Sequence, residues 1–532
     1  MYNTINSTFR YKPFSGKVKA DRLFVRGSDS LGVYIADTDN LFTLTRGESN
    51  SQSVPHLKLV SNSGRLFLRS PLARVAMRDA SFTADAQTRG RTRTVDTTAA
   101  GGWTRRRAHE TQTMDYLSEK EFSIADLDFR LDKSLSDLII KWNPSLKFKV
   151  EQGIVLSPLF PLRNRFTHLD GQFVKDVLTL DSLCLVSGSS DLVADARVEG
   201  LKRMMTRGGT ITLDAELESH RLNLNEILTA IEITDTAMTE SPAAVPDIAL
   251  VDDATYEQAF EAGAGEMSAA DTAAGPSYSL FIIPANLNAT VTMSVDSLDY
   301  ADMLLENAHA RAEMKERCLQ ITNGHFETDM GNAFMSAFYS TKTKKDIKCG
   351  FDMLLSDVTA ERVIQLIPAV DEVLPMLKSF KGTLDCSAAA TTQLDTNMNI
   401  LVPTLNGMFK IKGEDLVLED IGSLKKLTST LRFKDREKGR IDDMSVYGIV
   451  ADNELEVFPF ILSVDRYVMA LKGLQHFDSG FDYHVSVIKS PLPFKIGLNI
   501  FGDSFDNWKY RITKPQYKST KVPLFTDQDA SD

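Results

Sequence analysis

Several features are scarce in this sequence, and each absence narrows the classes of protein to which it can belong. No stretch of the 532 residues approaches the ~20 consecutive apolar residues of a membrane-spanning helix. The first residues have neither the basic start nor the apolar core of a signal peptide. Together these absences are typical of a water-soluble chain. The first alternating segment, near Phe14, opens in mid-pattern, so we also expect that strands precede it in a longer protein.

Positive charge is in deficit. Lys and Arg number 60 against 72 Asp and Glu, which gives a formal net charge of −12 at pH 7. A nucleic-acid partner needs a basic surface that neutralises phosphates. The charge balance therefore argues against nucleic acid as a partner.

Cysteine and catalytic motifs are also scarce. The four cysteines show no CxxC spacing, so a metal cluster is not predicted, and both buried thiols and one or two disulfides remain open. The eight histidines form no HxH or HxxxH pair, and no GxSxG, P-loop or strand-linked GxGxxG motif occurs. We predict no catalytic residues, no metal and no cofactor, so the chain is not expected to be an enzyme. The cysteines are Cys184, Cys318, Cys349 and Cys386.

Two pairs of adjacent carboxylates, Asp252-Asp253 and Asp442-Asp443, do not change this conclusion. Adjacent residues of a strand point to opposite faces, so neither pair makes an acid/base couple. We interpret these pairs as solvated charge. His484, which faces away from the apolar set around it, is interpreted as a polar-face residue and not as a ligand.

Alternation of apolar and polar residues is the dominant pattern that is present. Tyr483, Val485 and Val487 alternate with His484 and Ser486. A period of two is typical of strands with one apolar face and one polar face. The pattern recurs along most of the chain. It predicts a mainly β fold, in which a long curved or twisted antiparallel sheet forms an open apolar groove, with a few short α-helices.

Composition divides the chain into four parts. Residues 1–232 form an N-terminal β-repeat region with a basic loop at 87–110, which is either a solvated loop or a basic arm that touches anionic headgroups. Residues 233–276 are predicted to be an acidic, flexible insertion. Residues 277–520 form a second β region, and 521–532 a polar tail. The predicted helices are 223–232, 359–380 and 422–431.

Two segments of the second β region with clear alternation predict the lining of the groove. In each set, apolar side chains face one side and polar or small residues face the other. The alternative is that these residues belong to an ordinary closed core. The candidate groove residues are Leu287, Val291, Met293 and Val295, with Phe494, Ile496, Leu498 and Ile500.

The order of segments near the C-terminus resembles a known family. Leu405-Asn-Gly-Met-Phe-Lys-Ile-Lys-Gly and Tyr483-His-Val-Ser-Val-Ile-Lys-Ser-Pro-Leu-Pro, with the strands between them, are similar to the C-terminal region of AsmA-family envelope proteins of the Bacteroidetes type. The likeness covers roughly residues 280–520 and is diffuse over 14–232.

The resemblance implies a periplasmic protein of outer-membrane biogenesis that binds or conducts phospholipid, or another envelope lipid, along a β-groove. It also implies contact with the inner or outer membrane and, in the full-length family, an inner-membrane anchor that this chain lacks. Protein partners are not indicated. The alternative is a non-enzymatic structural scaffold or assembly factor of the cell envelope with a closed β core. A β-solenoid enzyme would need clustered carboxylates on one ladder, which the sequence does not contain.

Overall fold

The computed structural model describes most of the chain as β-strands. The fold-class prediction of a mainly β chain, with one large open sheet and a few short helices, is confirmed. The described residues are 13–26, 32–49, 52–69, 74–88, 127, 130–131, 133–157, 160–227, 282–328, 331–343, 346–366, 377, 380–395, 399–418, 439–464, 467–478, 480–490, 495–504 and 507–523.

The strands are numbered in chain order. The first ten are β1 (Phe14–Arg26), β2 (Gly32–Ser49), β3 (Gln52–Arg69), β4 (Arg74–Gln87), β5 (Pro144–Ser157), β6 (Phe160–Val174), β7 (Val177–Ser187), β8 (Ser190–Glu199), β9 (Ile211–Asn223) and β10 (Leu287–Tyr300). The others are β11 (Met303–Lys315), β12 (Cys318–Thr328), β13 (Gly331–Thr343), β14 (Asp346–Thr359), β15 (Phe380–Lys381), β16 (Thr383–Gln393), β17 (Asn406–Leu418), β18 (Gly439–Ala451), β19 (Glu454–Val464), β20 (Tyr467–His476), β21 (Gly480–Lys489), β22 (Ile496–Ser504) and β23 (Asn507–Thr513).

Helices are few and short in the described part of the chain. They are α1 (Lys133–Trp142), α2 (Leu201–Arg207), α3 (Ala360–Leu366) and a 3₁₀ turn (Val402–Thr404). Neither α1 nor α2 was predicted from the sequence. Yet α1 carries apolar residues at Leu135, Leu138, Ile139 and Trp142, which is the spacing of one helix face. Helix α3 covers the start of the predicted helix 359–380, and residues 224–227 are helical at the start of the predicted helix 223–232. The predicted helix 422–431 lies outside the described residues.

The chain divides into two compact units. Unit 1 comprises Met1–Asp299 and Ala312–Cys318, and unit 2 comprises Tyr300–Arg311 and Leu319–Asp532. Within unit 1, each strand from β1 to β9 pairs antiparallel with the next. Within unit 2, strands β16 to β23 form a similar antiparallel series, and β14 pairs with both β13 and β16.

Tight hairpins fix the register of these strands. Lys175 and Asp176 join β6 to β7, and Asp452 and Asn453 join β18 to β19, all four with positive φ. Two consecutive residues with positive φ make the turn whose twist matches that of the flanking strands. Asp and Asn tolerate this left-handed conformation better than most residues, which is why they occur at such turns.

Aromatic rings lie across glycines on the neighbouring strand in both units. Phe166 pairs with Gly153 in unit 1, and Tyr483 pairs with Gly473 in unit 2. A Cβ atom added at either glycine would lie 2.0 Å from the ring. Glycine is therefore required at these two positions by the close approach of the ring.

One pair of strands departs from the predicted antiparallel arrangement. β10 runs parallel to β9, with Leu287 opposite Ile211 and Asp299 opposite Asn223. A parallel pair needs a crossover that returns to the starting end of the first strand. β9 has 13 residues, so the connection must span about 40 Å. The predicted acidic insertion, which falls between these strands, lies outside the described residues.

We expect that deleting residues 234–275 leaves the melting temperature nearly unchanged. The segment is too poor in apolar residues to support a core, and the ~21 connecting residues that remain can extend to about 70 Å. Thermal unfolding by circular dichroism is the measurement. A fall of more than several degrees would show that the segment packs against the sheet. As a control, deleting 227–282 leaves ~7 connecting residues, too few to bridge the parallel pair, and should destabilise unit 1.

Candidate functional site

The apolar side chains of four neighbouring strands in unit 1 line up on one face. Leu180 on β7 pairs with Ala196 on β8, which pairs with Ala215 on β9, which in turn pairs with Val291 on β10. Paired residues of adjacent strands lie on the same face of a sheet. The next row is Leu183, Ala194, Leu217 and Met293.

We call this surface the β7–β10 face. Every member is an apolar residue of β7, β8, β9 or β10, and the set includes the four groove candidates predicted on β10. The members are Leu178, Leu180, Leu183, Leu185, Leu192, Ala194, Ala196, Val198, Leu213, Ala215, Leu217, Leu287, Ala289, Val291, Met293 and Val295.

Most of this face is only half-buried. Leu180, Ala215, Val291 and Met293 all keep part of their surface accessible, whereas Val295 is 1% exposed. On the neighbouring strands β3–β6, a cluster that includes Leu66, Met77, Val150 and Phe166 is buried, and Leu183 and Leu185 of the β7–β10 face pack against it. The β7–β10 face is therefore less completely covered than the core beside it.

The opposite face of the same strands is charged. Arg197 pairs with Glu199 at 2.7 Å, and the exposed Asp214 and Glu216 of β9 lie on the same side. The hydrogen bond between His220 and Asp296, at 2.8 Å, raises the pKa of the imidazole. Water is the natural environment of this side, so an apolar ligand of unit 1 would lie on the β7–β10 face.

Buried hydroxyl groups lie at one end of the β7–β10 face. Ser187 ends β7 and pairs with Ser190, and Ser219 pairs with Val295. Ser190 Oγ accepts a hydrogen bond from the Asn223 backbone at 2.9 Å. Within the described part of the chain, the hydroxyls of Ser187 and Ser219 have no hydrogen-bond partner. A buried hydroxyl is normally satisfied, so these two groups can bind water or a polar atom of a ligand.

Like the β10 set, in which Val295 is 1% exposed, the groove candidates of unit 2 include one completely buried residue. Leu498 is 0% exposed and pairs with buried Val485, while Ile496 and Ile500 on the same face are half-buried. Phe494 lies outside the residues whose side chains are described. The sequence alternates in the same way at Leu498 and at Val291, but the structure buries Leu498 in a core.

His484 belongs to a buried polar cluster that the sequence did not reveal. Its Nδ1 lies 2.6 Å from Asn499 Oδ1, and its Nε2 lies 3.0 Å from Ser486 Oγ. The backbone N–H groups of Gln516 and Tyr517 donate to Ser486 Oγ at 3.0 and 3.1 Å. The prediction placed His484 on the polar face, and a chain segment that follows β23 covers it there.

Ser486, His484 and Asn499 are hydrogen-bonded in the order of a catalytic triad, but a substrate could not reach the serine. A nucleophile must reach its substrate, and Ser486 is 0% exposed. Both backbone donors point at the hydroxyl itself and not at a place where an oxyanion would form. The cluster holds the segment 514–523, which we call the strap.

The titratable groups of the described chain do not assemble a metal or nucleophilic site. No group of three His, Cys, Asp or Glu residues that could hold a metal ion occurs among the described residues. The four cysteines, which all lie in that part of the chain, form no disulfide. Burial raises the pKa of the Cys386 thiol to about 11, which keeps it protonated and unreactive at neutral pH.

Unit 2 also contains a cavity of about 510 Å³ that crosses six strands. Each of β13, β14, β16, β17 and β18 contributes three consecutive residues to its lining, and β12 contributes two. Several lining residues are small, including Gly350, Ala390 and Gly407, and Met408 at the cavity is 40% exposed. The cavity is mainly apolar and contains no cluster of titratable groups.

Searches against protein-family models, curated proteins and solved structures find no match to this chain. In the part of the chain that the structure describes, no helix is both long and apolar enough to cross a membrane.

Proposed function

We propose that the protein binds a phospholipid or another envelope lipid along the β7–β10 face. The observation that carries the proposal is a mostly half-buried, continuous apolar surface, backed by an opposite face that carries Arg197, Glu199, Asp214 and Glu216. Apolar surface that stays accessible commonly marks a binding site. By the resemblance to AsmA-family proteins, we place this activity in the periplasm, in the transfer of lipid for outer-membrane biogenesis.

The dimensions of the face suit an acyl chain. Four strands at about 4.8 Å spacing make a surface ~14 Å wide, and the 11 residues of β7 extend about 36 Å. The acyl chains of one bilayer leaflet occupy about 15 Å, half of the hydrocarbon core. One chain therefore fits along or across the face.

The free-energy cost of exposing an acyl chain to water requires a continuous apolar surface. Exposing a lipid chain to water costs about 0.8 kcal/mol per CH₂, so a chain of about 16 carbons needs roughly 12 kcal/mol of shelter. Isolated apolar residues cannot provide that shelter, whereas paired rows on adjacent strands can.

The second candidate function is a structural scaffold of the cell envelope with a closed β core. The complete burial of Leu498 and Leu455 in unit 2 favours this alternative for that unit. The half-buried β7–β10 face in unit 1 favours lipid binding.

A photo-crosslinking amino acid distinguishes the two functions. Placed at Met293, on the β7–β10 face, the crosslinker should capture labelled phospholipid. Placed at Thr292, the adjacent residue on the opposite face, it should capture little, because alternate residues of a strand point to opposite sides. The yield of lipid-linked protein by mass spectrometry is the readout. Equal yields at the two positions would contradict the proposal.

A further inference from the structure

The last described part of unit 2 is strongly basic although the whole chain is acidic. Residues 507–523, which comprise β23 and the strap, contain five Lys or Arg residues and no Asp or Glu. Lys495, just before β22, adds a sixth cation. The chain continues with Asp527, Asp529 and Asp532, which lie outside the described residues. The six cations are Lys495, Lys509, Arg511, Lys514, Lys518 and Lys521, which we call the basic surface.

The strap gathers these charges on one side of the sheet. Arg511 on β23 pairs with Asn499, whose side chain lies on the same face as His484. The strap crosses that face, because Gln516 donates to Ser486 Oγ and Val522 packs against Ala470. The Lys495 ammonium donates to the carbonyl of Lys518, which ties the two segments together.

All six cations are exposed, and in the described residues none of them forms a salt bridge. Arg511 lies over the ring of Phe501, with its guanidinium carbon 6.0 Å from the ring centroid. The acidic residues nearest by register are Asp503, on β22 beside the start of β23, and Asp482, which pairs with Phe501 on β21. The basic surface therefore presents a clear excess of positive charge to solvent.

Apolar and aromatic side chains border the same edge. On the other face of β23, Ile512 is 59% exposed and Tyr510 is 37% exposed. Among the described strands, β23 pairs only with β22, so it forms an edge. Exposed Lys and Arg beside an aliphatic and an aromatic residue are typical of surfaces that bind at the headgroup level of a membrane.

We infer that the basic surface docks on an anionic lipid membrane. Charge complementarity supports this partner, because each Lys or Arg near an anionic bilayer contributes favourably and the effect is screened by salt. Ile512 and Tyr510 favour a membrane over a soluble polyanion, which would not need them. This inference uses a surface in unit 2 and does not depend on lipid binding by the β7–β10 face.

The test is flotation of the full chain with vesicles of phosphatidylcholine alone or with about one third phosphatidylglycerol. We expect binding to the anionic vesicles only, weakened by high salt. The triple variant Lys514→Gln, Lys518→Gln and Lys521→Gln should bind on the order of 100-fold more weakly. A matched triple variant of exposed lysines elsewhere, Lys147→Gln, Lys342→Gln and Lys412→Gln, should bind as the parent does.

Several outcomes would overturn the inference. These are no binding by the parent chain, equal loss in both triple variants, and binding that neither salt nor charge removal reduces. An acidic protein partner would be indicated instead by two results together. Soluble polyglutamate would abolish vesicle binding by the parent chain completely, and the Ile512→Ser variant would bind vesicles as well as the parent. Thermal unfolding of each variant confirms that it is folded. If the triple variant of the strap loses vesicle binding but still co-purifies with lipid, the basic surface and the β7–β10 face act independently.

Discussion

Leu498→Asp is expected to destabilise unit 2 by about 3–5 kcal/mol or to prevent it from folding. Leu498 is 0% exposed, and its neighbour Val485 on β21 is 3% exposed. A carboxylate at this position would be buried without a partner. The measurement is the free energy of unfolding from urea denaturation, with unit 1 followed separately by hydrogen exchange.

Two control variants separate burial from other effects. Ile512 pairs with Leu498 in the same row but is 59% exposed, so Ile512→Asp should cost less than about 1 kcal/mol. Leu498→Met keeps the volume and should cost less than about 1.5 kcal/mol. If Leu498→Asp were as stable as Ile512→Asp, the face of β21 and β22 would be open to water.

Val291→Glu is expected to remove bound lipid while leaving the chain folded. Val291 lies at the middle of β10, the last of the four strands of the β7–β10 face, opposite Ala215, and it is half-buried. Water can reach a carboxylate there, so the expected loss of stability is about 1–2 kcal/mol, well below that for Leu498→Asp. An acyl chain would have to cross this charge, which interrupts the apolar path. Lipid content by mass spectrometry and unfolding by denaturant are both measured on the same sample.

Controls for this variant use the same strand. Val291→Ile keeps the face apolar and should keep its lipid. Thr292→Lys places a charge on the opposite face, next to its partner Glu216, and should also keep its lipid. A folded Val291→Glu protein that carries the normal amount of lipid would show that the lipid binds at another surface. An unfolded one would favour the closed scaffold.

The sequence predicts the strands because one signal, the period of two, is local and strong. Along β10, Val291 and Met293 alternate with Thr290 and Thr292, and the structure contains that strand. The parallel pairing of β10 with β9 was not predictable, since alternation defines faces but not the neighbour or its direction.

An alternating pattern does not predict how completely a residue is buried. Val291 and Leu498 lie in equally regular patterns, yet only Leu498 is completely buried. How much of an apolar face is covered depends on elements distant in sequence. The same reason explains His484, whose burial comes from the strap more than 30 residues later.

Some acidic residues inside strands shape the backbone, a role that the sequence analysis did not predict. Asp37, Asp79, Asp357 and Asp415 all have φ near +50° within strands. The pairing of β2 with β3 skips Asp37, between the pairs of Ala36 and Thr38, without a change of register, so the positive φ marks a local distortion and not an inserted residue. A short polar residue that tolerates positive φ in the middle of an apolar strand is the signal that sequence reasoning could have used.

Native mass spectrometry of the detergent-free protein shows directly whether the chain carries lipid. We expect phospholipid, or another lipid with long acyl chains, to remain bound to the parent chain and to be absent from folded Val291→Glu. A parent chain that is folded and carries no lipid, even after incubation with phospholipid vesicles, would contradict lipid binding by the β7–β10 face.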